Sequence, residues 1–176
     1  IEYRGVLYAG LMLTPAGPKV LEFNCRFGDP ETQPLMARFQ GDLLDALWRT
    51  ASGTLDGASI EFKDEVACCV VMCSEGYPGP YAKGKVITGL EEVDSSTNVV
   101  VFQAGTDCTK GELTTSGGRV LGVTAIANSL EEARTIANTV CDHIHFDGAF
   151  WRKDIGCRKN AINIDSPTAC DFFSDA

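Results

Sequence analysis

Histidine is almost missing from this chain of 176 residues, which has only His143 and His145. A Ser/His/Asp or Cys/His catalytic constellation needs an imidazole beside its nucleophile, and no such arrangement is legible. Cysteine is plentiful, with eight residues, but none forms a C-x-x-C pair, so zinc-ribbon and dithiol redox motifs are excluded. A chain of this length can build a core without disulfide staples. Cys68, Cys69 and Cys73 lie in or at the end of the apolar run Val66 to Met72. Most of the eight therefore read as small buried thiols in a reducing compartment, which points to the cytoplasm. Cys141, His143 and His145 are two residues apart, and residues so spaced on a helix point about 200° away from each other, so this stretch reads as a helix end and not a metal site.

Long apolar runs are also lacking. None approaches the roughly 18 residues of a membrane span, and Glu2 with Arg4 gives no secretory start, so no membrane association is expected. Positive charge is scarce: 15 Lys and Arg against 24 Asp and Glu give a net charge of −9, with −3 over residues 1–62 and −6 over 63–176. Neither part offers a surface that neutralises nucleic-acid phosphates, although a local basic site for a small phosphate remains open. Gly76-Tyr77-Pro78-Gly79 and Gly117-Gly118 are isolated and make no Walker or dinucleotide fingerprint.

What is present reads as an α+β chain, 44% apolar and 22% charged. It opens without methionine inside an apparent strand, Gly5 to Leu13, which is expected of a fragment. Turn chemistry at Thr14 to Pro18 and a second run from Lys19 to Phe27 predict a hairpin. Asp29-Pro30-Glu31 predicts a helix start, with Asp29 as N-cap and Pro30 in the first helical position. Apolar residues from Leu35 to Leu47 recur at helical spacing, with Gly41-Asp42 as a kink or a restart. Beyond Ile60 short β-runs follow at Val66–Cys73, Lys85–Thr88, Val99–Ala104 and Arg119–Ala125. They are interrupted by one helix opened by the capping box Ser129-Leu130-Glu131-Glu132. The predicted division is a hairpin plus helices over 1–62, a small mostly antiparallel β unit with one helix over 63–159, and a tail or linker over 160–176.

The chemistry concentrates in Leu21-Glu22-Phe23-Asn24-Cys25-Arg26-Phe27-Gly28-Asp29-Pro30-Glu31. Alternate side chains of a strand share a face, so Glu22, Asn24 and Arg26 project together. A carboxylate and a carboxamide oxygen suit Mg²⁺, and a guanidinium holds phosphate or carboxylate oxygens bidentately. The same alternation is ordinary on a half-exposed strand. Gly28 permits close backbone approach, and a helix starting at Asp29-Pro30 favours an anion, so three consecutive features converge on one anionic ligand.

The segment Leu21 to Gln33, L-E-F-N-C-R-F-G-D-P-E-T-Q, resembles the signature of the phosphoribosylamine–glycine ligases, members of the ATP-grasp superfamily. Tyr3 to Gly10, Ser74 to Gly79, Lys85 to Gly89, Gly117 to Leu121 and Arg152 to Gly156 are similar to further family segments in the same order. The resemblance implies the final part of an ATP-grasp unit followed by the family's carboxy-terminal domain. It implies a reaction in which ATP, glycine and 5-phosphoribosylamine give glycinamide ribonucleotide, ADP and phosphate through glycyl phosphate, in purine biosynthesis. By position it implies Glu22 and Asn24 as ligands of Mg²⁺ or Mn²⁺ and Arg26 as the catalytic residue near the transferred phosphate. Gly28, Asp29, Pro30 and Glu31 would form the loop near glycine and the acyl phosphate, with Asp29 either a substrate contact or an N-cap. Arg119 would hold the phosphoribosyl phosphate or make a structural salt bridge, and Arg152 and Asp154 are structural. Gln103 stands where the family often has histidine, which puts a proton-transfer role there in doubt.

The resemblance implies that the family's amino-terminal domain, adenine-binding lobe and lysine-bearing strands would lie upstream of Ile1, so the piece alone is expected to be inactive and to need that upstream part as partner. Two alternatives belong to other classes. A biotinyl or lipoyl carrier module would display a modified lysine, and Lys83 and Lys85 near a turn lack the usual flanking residues. A non-catalytic binding or scaffold module of a multienzyme chain would not need Glu22, Asn24 and Arg26 intact.

Overall fold

The computed structural model describes residues 2–56, 58–93, 98–109 and 111–157. The expected tail at 160–176, with Cys170, lies outside them. The chain begins with an antiparallel hairpin of β1 (Tyr8–Thr14) and β2 (Gly17–Asn24), closed by Pro15-Ala16, with Gly17 at φ 97°. The register runs from Thr14↔Gly17 to Tyr8↔Asn24 and shifts between Gly10 and Leu11, so Leu21 is the extra residue of a bulge. This preserves amphipathicity. Tyr8, Gly10, Glu22 and Asn24 occupy one face, while Ala9, Leu11, Val20 and Phe23 occupy the other.

The helix expected from Asp29 begins later, as α1 (Thr32–Arg38). Asp29 is not its N-cap; that position is held by Glu31, without a side-chain cap bond. The physical reason is competition, because the Asp29 carboxylate lies 3.4 Å from the Arg119 guanidinium instead of turning to the helix. Pro30 precedes the helix and follows a cis peptide bond. The first turn is held by Thr32, whose N–H and Oγ1 both donate to the Gly28 carbonyl. Strand β3 (Phe39–Gln40) follows, and Gly41-Asp42 proves to be a restart: Asp42 caps α2 (Leu43–Ser52) by accepting from Asp45 N at 2.9 Å. Strand β4 (Glu61–Phe62) pairs with β3 and sets the Phe39 and Phe62 rings edge to face at 5.9 Å.

The second part contains β5 (Val66–Ser74), β6 (Val99–Gln103), β7 (Thr106–Thr109), β8 (Glu112–Thr115), β9 (Arg119–Ala127), α3 (Leu130–His143) and β10 (Ala149–Phe150). Its main sheet is antiparallel, in the order β10-β5-β9-β6. The strand expected at Lys85–Thr88 reduces to two isolated bridges, Val86↔Thr114 and Thr88↔His145. The β7/β8 ribbon was hidden by its polar composition. Ser129 caps α3 as the capping box predicts, accepting from Glu132 N at 3.2 Å. Ala133, Ala137 and Cys141 of α3 pack on Val70, Met72, Val123 and Ala125 to form the buried core.

Helix α1 covers the opposite face, where a Cβ on Gly122 would stand 3.2 Å from Cys69 Sγ and 3.6 Å from Gln33 Nε2. The loop between β2 and α1 is thereby held where β5 ends and β9 begins. Of the described cysteines, all free, Cys68, Cys69, Cys73 and Cys141 are buried, and Cys25, Cys108 and Cys157 are exposed. Burial therefore holds for four of seven. It pushes the Cys141 thiol up to about 12 and raises those of Cys68, Cys69 and Cys73. No helix among the described residues is long and apolar enough to cross a membrane.

Candidate functional site

The polar face of the hairpin looks across a cleft of about 490 Å³ toward the start of β9. Tyr8, Glu22, Asn24, Arg26, Gly28, Asp29, Glu31, Tyr77 and Arg119 line it. Three carboxylates and two guanidiniums therefore share one concave space, an arrangement suited to anions accompanied by cations. Two glycines make the room. A Cβ on Gly10 would come within 3.2 Å of Glu22 Cγ across the hairpin, and one on Gly28 would collide with the Glu31 carboxylate.

Glu22 Oε1 accepts from Asn24 Nδ2 at 3.1 Å, which directs the Asn24 amide nitrogen to its neighbour and leaves the carboxamide oxygen as its donor atom for a cation. The Tyr8 hydroxyl donates to Glu31 Oε1 at 3.1 Å. Lost hydration, then the hydrogen bond and charge of Glu31, raise the Tyr8 pKa, so this hydroxyl remains a donor at neutral pH. β2 ends at Asn24, two residues before Arg26, yet Arg26 reaches the same cleft and donates to the Phe27 carbonyl at 2.8 Å. Arg26 also borders an adjoining cleft with Phe102 and Gln103, whose Oε1 accepts from Thr106 Oγ1 at 3.1 Å.

Arg119 joins the two halves of the site. Its Nε donates to Tyr77 Oη at 2.9 Å and its Nη1 to the Asp29 carbonyl at 2.9 Å. The hydrogen bond to Tyr77, ahead of the charge of Asp29, raises the Arg119 pKa and keeps the guanidinium charged. The structure thus brings together seven of the eight residues singled out from sequence, all but Pro30, which does not line the cleft. Tyr8 and Tyr77 were missed; Tyr8 was legible from hairpin register, as the partner of Asn24, whereas Tyr77 meets the site only through the fold. Arg152 and Asp154 form a bidentate surface pair, with contacts of 3.0 and 2.7 Å. Lys85 is paired with Asp147 at 2.5 Å, unlike the unpartnered lysine of a carrier.

Magnesium fits this donor set in one manner only. Among the described residues no group of three His, Cys, Asp or Glu side chains is placed to hold a metal, so Glu22 and Asn24 do not make a protein cage. One carboxylate and one carboxamide oxygen beside guanidiniums suit an ion whose remaining ligands are phosphate oxygens and water.

Comparison with known proteins follows the same residues. The family model described as phosphoribosylglycinamide synthetase, C domain, matches residues 67–158, and that of the ATP-grasp (A) domain matches residues 1–32. A phosphoribosylamine–glycine ligase of Rhodopirellula baltica is 53% identical over 154 residues, covering 87% of this chain and 35% of the relative. The trifunctional purine biosynthetic protein adenosine-3 of Gallus gallus is 50% identical over 163 residues, 92% of this chain and 16% of that protein. The crystal structure of a phosphoribosylamine–glycine ligase from Thermotoga maritima superposes with a TM-score of 0.71 at 35% identity, over 85% of this chain and 36% of the other. A biotin carboxylase complex from Campylobacter jejuni, at 13% identity and a TM-score of 0.60 over 97% of this chain and 37% of the other, shares the fold alone. The chain spans little more than a third of the single-function ligases it matches. The order of the matched segments, the ATP-grasp tail followed by the C domain, agrees with the fold and with the cleft between them, and the chain belongs to the phosphoribosylglycinamide synthetase family.

Proposed function

We propose that this chain supplies the phosphate end and part of the acceptor side of an ATP-dependent ligase that joins glycine to 5-phosphoribosylamine, giving glycinamide ribonucleotide, ADP and phosphate in the cytoplasm. The observation that carries the reading is the convergence of Glu22, Asn24, Arg26, Asp29, Glu31 and Arg119 on one polar cleft. In this reading the glycine carboxylate attacks the γ-phosphate, ADP leaves, and the phosphoribosylamine nitrogen then displaces phosphate from glycyl phosphate. No covalent bond to the protein is needed, so its work is positioning and charge compensation.

Glu22 and Asn24 would hold Mg²⁺ or Mn²⁺, which offsets phosphate charge when bound. Arg26 stabilises charge at the transferred phosphoryl group. Glu31, hydrogen-bonded by Tyr8, and Asp29 offer carboxylates to the glycine ammonium, while Gly28 leaves room for Glu31 and Pro30 shapes the loop. Arg119 spends two of its five N–H donors on Tyr77 and Asp29, and the other three serve the phosphate of phosphoribosylamine. The ATP-grasp part extends to residue 62 and the C domain begins at 63. Leu11, Leu13, Val20, Leu21 and Phe23 leave an apolar hairpin face 41–64% exposed, which supports packing against the remaining two thirds of a family-length enzyme.

In a family-length enzyme carrying this segment, ADP release is expected to require both glycine and phosphoribosylamine. ADP release that ignored glycine and responded to another amino acid would overturn the substrate assignment.

A further inference from the structure

Arg119 is 38% exposed in its side chain, and a long cation at a cleft edge ordinarily samples many rotamers. Here several contacts from one loop restrict it. At the end of β5, Ser74 N donates to the Gly118 carbonyl at 2.8 Å and Ser74 Oγ to the Gly117 carbonyl at 2.9 Å, fastening residues 74–77 to the segment that enters β9. Tyr77 N donates back to Ser74 O at 3.1 Å, closing a tight turn. The Tyr77 ring then lies directly over Gly118, so closely that any Cβ at Gly118 would collide with it. Tyr81 packs edge-on against the same ring at 6.3 Å. The hydroxyl oxygen of a ring fixed in this way accepts the hydrogen bond from Arg119 Nε.

We infer that Tyr77 is a positioning residue: seated on Gly118, it holds the Arg119 guanidinium in the orientation that receives the phosphate of the amine substrate. The inference rests on the proposed role of Arg119 and adds the means by which that role is set. With Nε committed to Tyr77 and Nη1 to the Asp29 carbonyl, the plane of the guanidinium is fixed at two points, and the remaining donors are presented as a preformed fork. Gly118 is required for lack of a side chain, not for its backbone angle, since it is absent from the positive-φ glycines.

The test is a double-mutant cycle in the family-length enzyme, with Tyr77→Phe, which keeps the ring and removes only the hydroxyl, and Arg119→Ala. Losing a hydrogen bond to a charged group predicts a rise of about tenfold in KM for phosphoribosylamine with Tyr77→Phe. The change in kcat should stay below about threefold, and KM for ATP should stay within about twofold. In the Arg119→Ala background the same substitution should add less than about twofold, because the group it positions is gone. Gly118→Ala, which displaces the ring while leaving the hydroxyl, should reproduce the KM effect of Tyr77→Phe. The positioning role is overturned if Tyr77→Phe leaves KM for phosphoribosylamine unchanged while Arg119→Ala raises it, and the role of Arg119 then stands. It is also overturned if the tyrosine effect is undiminished without Arg119. If Arg119→Ala itself leaves that KM unchanged, the assignment of Arg119 fails and the positioning role falls with it.

Discussion

At the scale of single residues, the site depends on what is withheld as much as on what is supplied. Gly10, Gly28 and Gly118 each lack a Cβ where Glu22, Glu31 and Tyr77, respectively, need the space. The sequence showed Gly28 as a point of close approach but not its partner, because the collision is with the carboxylate of Glu31, three residues on, whose orientation a local pattern does not encode. The row Glu22, Asn24, Arg26 was legible by parity, although β2 stops before Arg26. Thiol environments were less so, since exposure of Cys25, Cys108 and Cys157 is decided by packing that a local apolar run does not encode. Among the described cysteines, alkylation at pH 8 followed by peptide mapping should label these three first. Cys141, with its thiol pushed up to about 12, and Cys68, Cys69 and Cys73 should stay unlabelled until denaturant is added. Early labelling of Cys141 would contradict the described core.

At the scale of elements, Ser129 caps its helix as the sequence predicts and Asp42, read only as part of a kink or a restart, caps another, whereas Asp29 does not cap. The first two face open helix ends, and each accepts a backbone N–H three residues on, from Glu132 and Asp45. Asp29 is claimed by Arg119, ninety residues away, and no local rule anticipates a competitor so distant. The Lys85–Thr88 run also departs from expectation, with Val86 and Thr88 in isolated bridges to Thr114 and His145. Asp42→Ala removes the α2 cap and is expected to cost about 1 kcal/mol locally, which raises hydrogen exchange of the α2 amides about fivefold. Unchanged exchange in α2 would show that its stability comes from elsewhere, in keeping with the buried Ala46.

At the scale of the whole molecule, the decisive arrangement is the central sheet with a helix on each face. Helix α3 forms the main core on one side. Helix α1 on the other side carries the hairpin loop to the end of the sheet, so residues far apart in sequence meet in one cleft. The order of elements and most site residues were readable from the chain, but this meeting was not, because it depends on which sheet face α1 covers. A net charge of −9 also conceals the two arginines gathered there. The central claim is that this cleft holds the metal and phosphate end of the nucleotide, with Glu22 on the metal and Arg26 on the moving phosphoryl group. The direct measurement is glycine-dependent ADP formation by the family-length enzyme across a magnesium titration, comparing the parent with Glu22→Gln and Arg26→Lys. Glu22→Gln should shift half-saturation to higher magnesium by about tenfold or more, and Arg26→Lys should lower kcat by about 100-fold at saturating magnesium. Both variants remaining within about threefold of the parent at limiting magnesium would contradict the account and leave Glu22, Asn24 and Arg26 as the ordinary polar face of a strand.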